Sequence, residues 1–345
     1  MEVNPLLRAG FLLAALVSGC GGGSDAAGPT WNGTPTSSTE TSLQMAPKLG
    51  AAAGDTGSAL RPLARSPFHL ANRFSNAQKY SYKLGAGSYG EASVSLATLN
   101  SPAYAGYRIF SQVSLDGFVP ATVYEKGAVE AYAYRLVTGS PFDEAALGQQ
   151  AAAGYLVMGS LSPPSGGIGV LYGMPLAGGT AGTTYGYLRV PYDVSANLPS
   201  SELTARLNSA GAQGGCWIET AAMLLRRSRP SAGVCVYEIL PVASTMLAWV
   251  DQLNAQGARG FFLAYREGRR EIYVKDTLQN SVFGYYVLDT PEALSVPLTE
   301  RANAFVDLLN REGQKGGRLF TVFTEGGVRK TIFRMSENCI GAPCD

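Results

Sequence analysis

Charge is scarce in this chain. Only 15% of its 345 residues are Asp, Glu, Lys or Arg, against roughly 25% in an average soluble protein. The 27 basic and 26 acidic side chains leave a formal charge of +1, so no overall field gathers nucleic acid, and none is expected as a partner. Histidine is almost absent. His69 is the single copy, which excludes histidine-rich metal cages and argues against histidine acid–base chemistry. His69 itself reads as a surface residue at the end of a linker. The chain also lacks a G-x-S-x-G elbow, a Walker loop, an H-E-x-x-H pair and a C-x-x-C pair, which are the common short signatures of catalysis and cofactor binding. No cofactor or metal is therefore expected. Neighbouring carboxylates occur at Asp143 and Glu144, where acids in the first turn of a helix serve as cap and dipole partner.

Glycine is plentiful, with 42 copies, and tyrosine numbers 18. An apolar run from Leu6 to Val17 is broken only by Arg8. A spanning helix needs about 20 apolar residues, so this run fits the core of a signal peptide. It ends in Val17-Ser18-Gly19-Cys20, followed by Gly21. That tetrapeptide resembles the lipobox of bacterial lipoproteins. The resemblance implies removal of residues 1–19, a lipid on Cys20, and attachment to the outer membrane, where Gly21 replaces the retention residue Asp. Residues 20–75 are dominated by Gly, Ala, Ser, Thr and Pro without an apolar period. Such a composition buries too little to offset chain entropy and reads as a tether.

Setting Cys20 aside leaves Cys216, Cys235, Cys339 and Cys344. An even count in an exported protein reads as two disulfides with three available pairings. Cys216–Cys235 on nearby strands and Cys339–Cys344 in a C-terminal loop are favoured.

From residue 76 to 336 the chain repeats itself. Five leucines are each followed seven residues later by glycine: Leu99 and Gly106, Leu147 and Gly154, Leu207 and Gly214, Leu253 and Gly260, Leu309 and Gly316. Asparagine follows the leucine as Asn100, Asn208, Asn254 and Asn310, and a further glycine stands four after it at Gly211, Gly257 and Gly313. A Tyr-rich strand precedes each helix-like stretch, and two strands follow. Leu298, Ala302, Phe305, Val306 and Leu309 give the fifth helix one apolar face. The leucine reads as the last core anchor, and the glycines as the helix stop and the reversal into the next strand.

These features predict an α+β fold of five tandem βαββ repeats, mainly antiparallel sheet with helices on one face, followed by a Cys-containing tail at 337–345. The L-N-x-x-G-x-x-G stretch, clearest from Leu207 to Trp217 and from Leu253 to Phe262, resembles a small bacterial strand–helix–strand–strand domain family of unknown function. That resemblance implies the fold and no activity. Five units are also similar in number to the closed five-bladed α/β propeller of the pentein group, an alternative architecture whose Cys–His chemistry this chain cannot match.

The candidate ligand residues are arginines: Arg226, Arg227 and Arg229 in the third repeat, and Arg266, Arg269 and Arg270 in the fourth. Arginine forks grip phosphate or carboxylate groups, as on an acidic envelope polysaccharide. Alternating tyrosines offer a second surface, for glycan or protein. The expected role is a lipid-anchored, non-catalytic binding or scaffolding module of the cell envelope. The alternative is an envelope enzyme with a Tyr/Arg/acidic site in a cleft between repeats.

Overall fold

A computed structural model describes residues 74, 76–86, 92–114, 120–138, 143–161, 169–178, 181–191, 198–218, 224–229, 233–291, 297–325 and 327–339. The lipobox, Cys20, His69 and Cys344 lie outside the described residues.

Among the described residues the circuit of strand, helix, strand, strand occurs five times. The first module holds β1 (Ser81–Ala86), α1 (Ala92–Leu99), β2 (Tyr107–Ser114) and β3 (Pro120–Lys126). The second holds β4 (Val129–Thr138), α2 (Glu144–Ala152), β5 (Leu156–Leu161) and β6 (Gly169–Gly178). The third holds β7 (Thr184–Arg189), α3 (Ser200–Gly211), β8 (Trp217–Ile218) and β9 (Leu224–Arg229). In the fourth stand β10 (Cys235–Pro241), α4 (Met246–Ala258), β11 (Phe262–Glu267) and β12 (Arg270–Asp276). The fifth contains β13 (Val282–Asp289), α5 (Leu298–Gln314), β14 (Arg318–Glu325) and β15 (Val328–Glu337). Every module makes its own three-stranded antiparallel sheet, with the third strand in the middle. The sheets are separate and open, so the class is α+β and none of them closes as a barrel.

The repeated leucines sit where an anchor should. Leu99 is 2% exposed, and Leu147, Leu207, Leu253 and Leu309 are all at 0%. Each such burial contributes roughly 1.5–3 kcal/mol. The expected helix ends need correction, because only α1 stops at its leucine. In α3, α4 and α5 the helix runs on past the first glycine, so Gly211, Gly257 and Gly313 lie within helix. Their missing side chain serves close approach. A Cβ would stand 2.1 Å from the Cys235 carbonyl oxygen at Gly211, 2.3 Å from that of Phe283 at Gly257, and 2.4 Å from that of Tyr80 at Gly313.

The later glycine is the helix stop in the last four modules. Gly106, Gly154, Gly214, Gly260 and Gly316 all have φ between 77 and 93°, a left-handed conformation that costs only glycine little. In α4 the Phe261 N–H donates to the Gln256 carbonyl and the Gly260 N–H to that of Gly257, both at 3.0 Å, closing a Schellman cap. The first module departs for a local reason. Pro102 cannot donate an N–H into the helix, so α1 ends early and a 3-10 turn (Pro102–Tyr104) follows. At the start of α2 the cap is Asp143, whose carboxylate accepts from the Ala145 and Ala146 N–H groups. Glu144 pairs with Arg189.

The first four helices each pack against the first strand of the next module: α1 on β4, α2 on β7, α3 on β10, α4 on β13. The fifth helix, α5, packs against β1 of the first module. One core therefore joins Phe305, Leu309 and Phe333 to Phe74, Tyr82 and Val123.

Asparagine fastens three of these joints. The Asn254 side chain accepts from the Tyr285 N–H (2.8 Å) and donates to its carbonyl (2.9 Å). Asn208 treats Tyr237 in the same way, at 2.7 and 3.2 Å, and Asn310 treats Tyr82, at 2.7 and 3.1 Å. The amide thus stands in for a neighbouring strand along the open edge of the next sheet. Asn254→Ala leaves a peptide donor and acceptor unmet at that joint, and is expected to lower stability by about 1–2 kcal/mol in urea titrations.

Candidate functional site

The arginines singled out in the sequence occupy two adjacent modules. Arg226 and Arg227 lie along β9. Arg226 is buried, its guanidinium 5.3 Å from the Tyr185 ring centre, and Arg227 is half-buried. Arg229 ends β9, and its side chain falls outside the described residues. Arg266, Arg269 and Arg270 gather at the β11–β12 hairpin. Arg270 donates to the Leu198 carbonyl and lies 3.4 Å from the Glu267 carboxylate. Arg269 is exposed.

Arg266 belongs to a tighter group that the sequence reading missed. Glu271, fully buried in β12, takes the Arg266 fork on one oxygen. Its other oxygen accepts from the Tyr273 hydroxyl at 2.6 Å and from the Gln252 amide at 2.9 Å. Burial, reinforced by the Glu271 charge, pushes the Tyr273 hydroxyl far up from its ordinary value. The Arg266 guanidinium also lies 4.5 Å over the Trp249 ring, a cation–π contact.

A second buried carboxylate stands where the last module meets the first. Glu125, 1% exposed, is forked by Arg318 from β14, with Nε 3.1 Å from both oxygens and Nη2 2.8 Å from one. Arg108 reaches it at 2.9 Å from β2. The Tyr82 hydroxyl donates to it at 3.3 Å while accepting the Leu319 N–H at 2.8 Å. Removal from water pushes the Glu125 carboxyl up to about 7, against the downward pull of Arg108 and Arg334. Burial likewise raises Tyr80 to about 12, opposed by Arg334, and holds Tyr82 well above its ordinary value.

Geometry decides what this group can do. Both Glu125 oxygens already accept donors from two modules, so the carboxylate acts here as a crosslink. The signal that could have found it lies in the repeat itself. Arg108 and Arg318 each stand two residues after the left-handed glycine, where the fourth module has Phe262. Their register partners are Glu125, Arg334 and Val274. Polar chemistry occupies this column only in the first and last modules of the three.

The Cys216–Cys235 disulfide is present, with Cα atoms 5.3 Å apart, and ties the start of β8 to that of β10 in the next module. Cys339 is also disulfide-bonded, to a partner outside the described residues. Among those residues no three His, Cys, Asp or Glu side chains group as metal ligands, and no helix is long and apolar enough to cross a membrane. No family model, no curated protein and no solved structure matches the chain.

Proposed function

We propose that this is a lipid-anchored protein of the bacterial cell envelope whose body works as a non-catalytic binding or scaffolding module. In this reading Cys20 carries the lipid, residues 20–75 are the tether, and the body is a tandem array of five βαββ copies joined end to end into a ring. The packing of α5 on β1 supports the ring, as does the same strand order in all five sheets. Oxidised cysteines fit export to an oxidising compartment.

One observation carries the non-catalytic reading. The three buried carboxylates among the described residues, Glu125, Glu271 and Glu312, have their oxygens occupied by arginine, lysine, tyrosine or amide donors of the chain itself. The enzyme alternative draws on the same Glu125 group, which does bring tyrosine, arginine and an acid together between modules. It requires a carboxylate oxygen open to substrate, and here those donors stand in the way.

Acylation is the first test. Cells fed an alkyne fatty acid should label the wild-type protein, and Cys20→Ala should abolish the label and move the protein out of the membrane fraction. Undiminished labelling of the variant would remove Cys20 as the anchor. Binding of the full chain to isolated envelope glycans, with and without Arg269→Glu, tests the exposed hairpin as a contact.

A further inference from the structure

We infer that the second module, residues 129–178, is the part of the body that opens while the other four stay joined. Three of the joints can be compared with the other two. The third and fourth modules share the Asn208 clip and the disulfide, and the fourth and fifth share the Asn254 clip. The fifth and first share the Asn310 clip and the Arg318–Glu125 fork. Among the described residues neither joint of the second module has such an asparagine clip. Gly148 takes the place of the asparagine in α2, and Asn100, displaced by the Pro102 turn, is exposed. Across the α2–β7 joint runs an exposed ion pair, Glu144–Arg189, a kind of contact that contributes little in water.

The core of this module is correspondingly small. Its clustered buried residues are split between two small groups, Leu147, Val170 and Tyr172 in one and Tyr134 and Leu171 with Leu99, Ile109 and Tyr124 of the first module in the other. The core under the third, fourth and fifth modules, by contrast, runs unbroken from Val190 to Ile332. Its sheet is weak as well. The central strand β6 contains Gly169, Gly173, Pro175 and Gly178, and β5 contains Gly159. Glycine adds backbone entropy to a strand and proline removes a ladder donor. Central strands β12 and β15 contain neither residue. Low local stability of this kind appears as sub-global opening of one contiguous segment. Opening here releases the Tyr134 hydroxyl from the Tyr107 carbonyl and uncovers the Arg108 side of the Glu125 group.

Native-state hydrogen exchange on the full-length protein, followed by mass spectrometry, tests this directly. Amides of β6 should exchange at least about tenfold faster than those of β12 and β15, with β4 and β5 opening at the same rate. Equal protection of the three central strands would overturn the inference. Gly148→Asn supplies the missing clip at an open position with no atom within 4 Å of a new Cβ. It should slow exchange across residues 129–178 by about tenfold, and by more than Gly148→Ala, which improves the helix without bridging the joint. If both variants slow exchange equally, the missing clip is not the cause and that part of the inference fails.

Discussion

At pH 8, where Glu125 is ionised, Glu125→Leu is expected to cost about 3–5 kcal/mol in urea unfolding, because it leaves the Arg318 and Arg108 guanidiniums without the carboxylate they surround. Arg318→Leu alone should cost less, since Arg108 still faces the carboxylate. The double variant should fall short of the sum of the two by about 1–3 kcal/mol, the range for groups in direct contact. The fourth module shows that the column tolerates apolar side chains, with Phe262 beside Val274 in the same register. Additive losses would mean that Arg318 and Glu125 do not act as a pair.

Proton linkage gives the same variant a second signature. The folded carboxyl holds its proton up to about pH 7, while the unfolded chain releases it near 4.5. Between those values the native state binds more protons than the unfolded one, so stability falls as pH rises. The loss attributable to Glu125 is about 3 kcal/mol across that window. Stability measured at pH 5 and pH 8 should show this fall in the wild type and a flatter profile in Glu125→Leu.

Much of the architecture was legible because it is local and repeated. The five leucines are buried helix residues, their later glycines are all left-handed and end four of the helices, and the order strand–helix–strand–strand recurs among the described residues. The roles of Asn254 and Gly257 were not legible, for a common reason. Both residues act on the first strand of the following module, and spacing along one helix does not reveal what lies across a joint. Glu125 and Glu271 escaped for a similar cause. As isolated acids in polar-looking strands they resemble solvated residues, and only the strand register and the packing of one module on another bury them. The β-bulges in the second strands, at Phe110, Met158, Ala264 and Phe320, fall at one repeat position, yet no residue type marks them. The arginine group was visible as composition, but the burial of Arg226 and the Arg266–Glu271 pair were not.

Gly257→Ala should be strongly destabilising for a single-methyl change, although alanine is the better helix former by about 1 kcal/mol. The new Cβ would lie 2.3 Å from the Phe283 carbonyl oxygen, a backbone atom held in β13 by its sheet. Relief requires α4 to withdraw from β13, which lengthens both hydrogen bonds from Asn254 to Tyr285. A net loss of about 3 kcal/mol follows from overpacking and the weakened clip together. Gly148→Ala provides the internal comparison, because its Cβ meets nothing within 4 Å. That variant should gain up to about 1 kcal/mol from reduced chain entropy. Opposite signs for these two glycine-to-alanine changes, read from urea midpoints, would show that close approach between modules governs the first site and backbone freedom the second. A neutral Gly257→Ala would mean the joint can move apart without loss, and the account of the repeated glycine would fall.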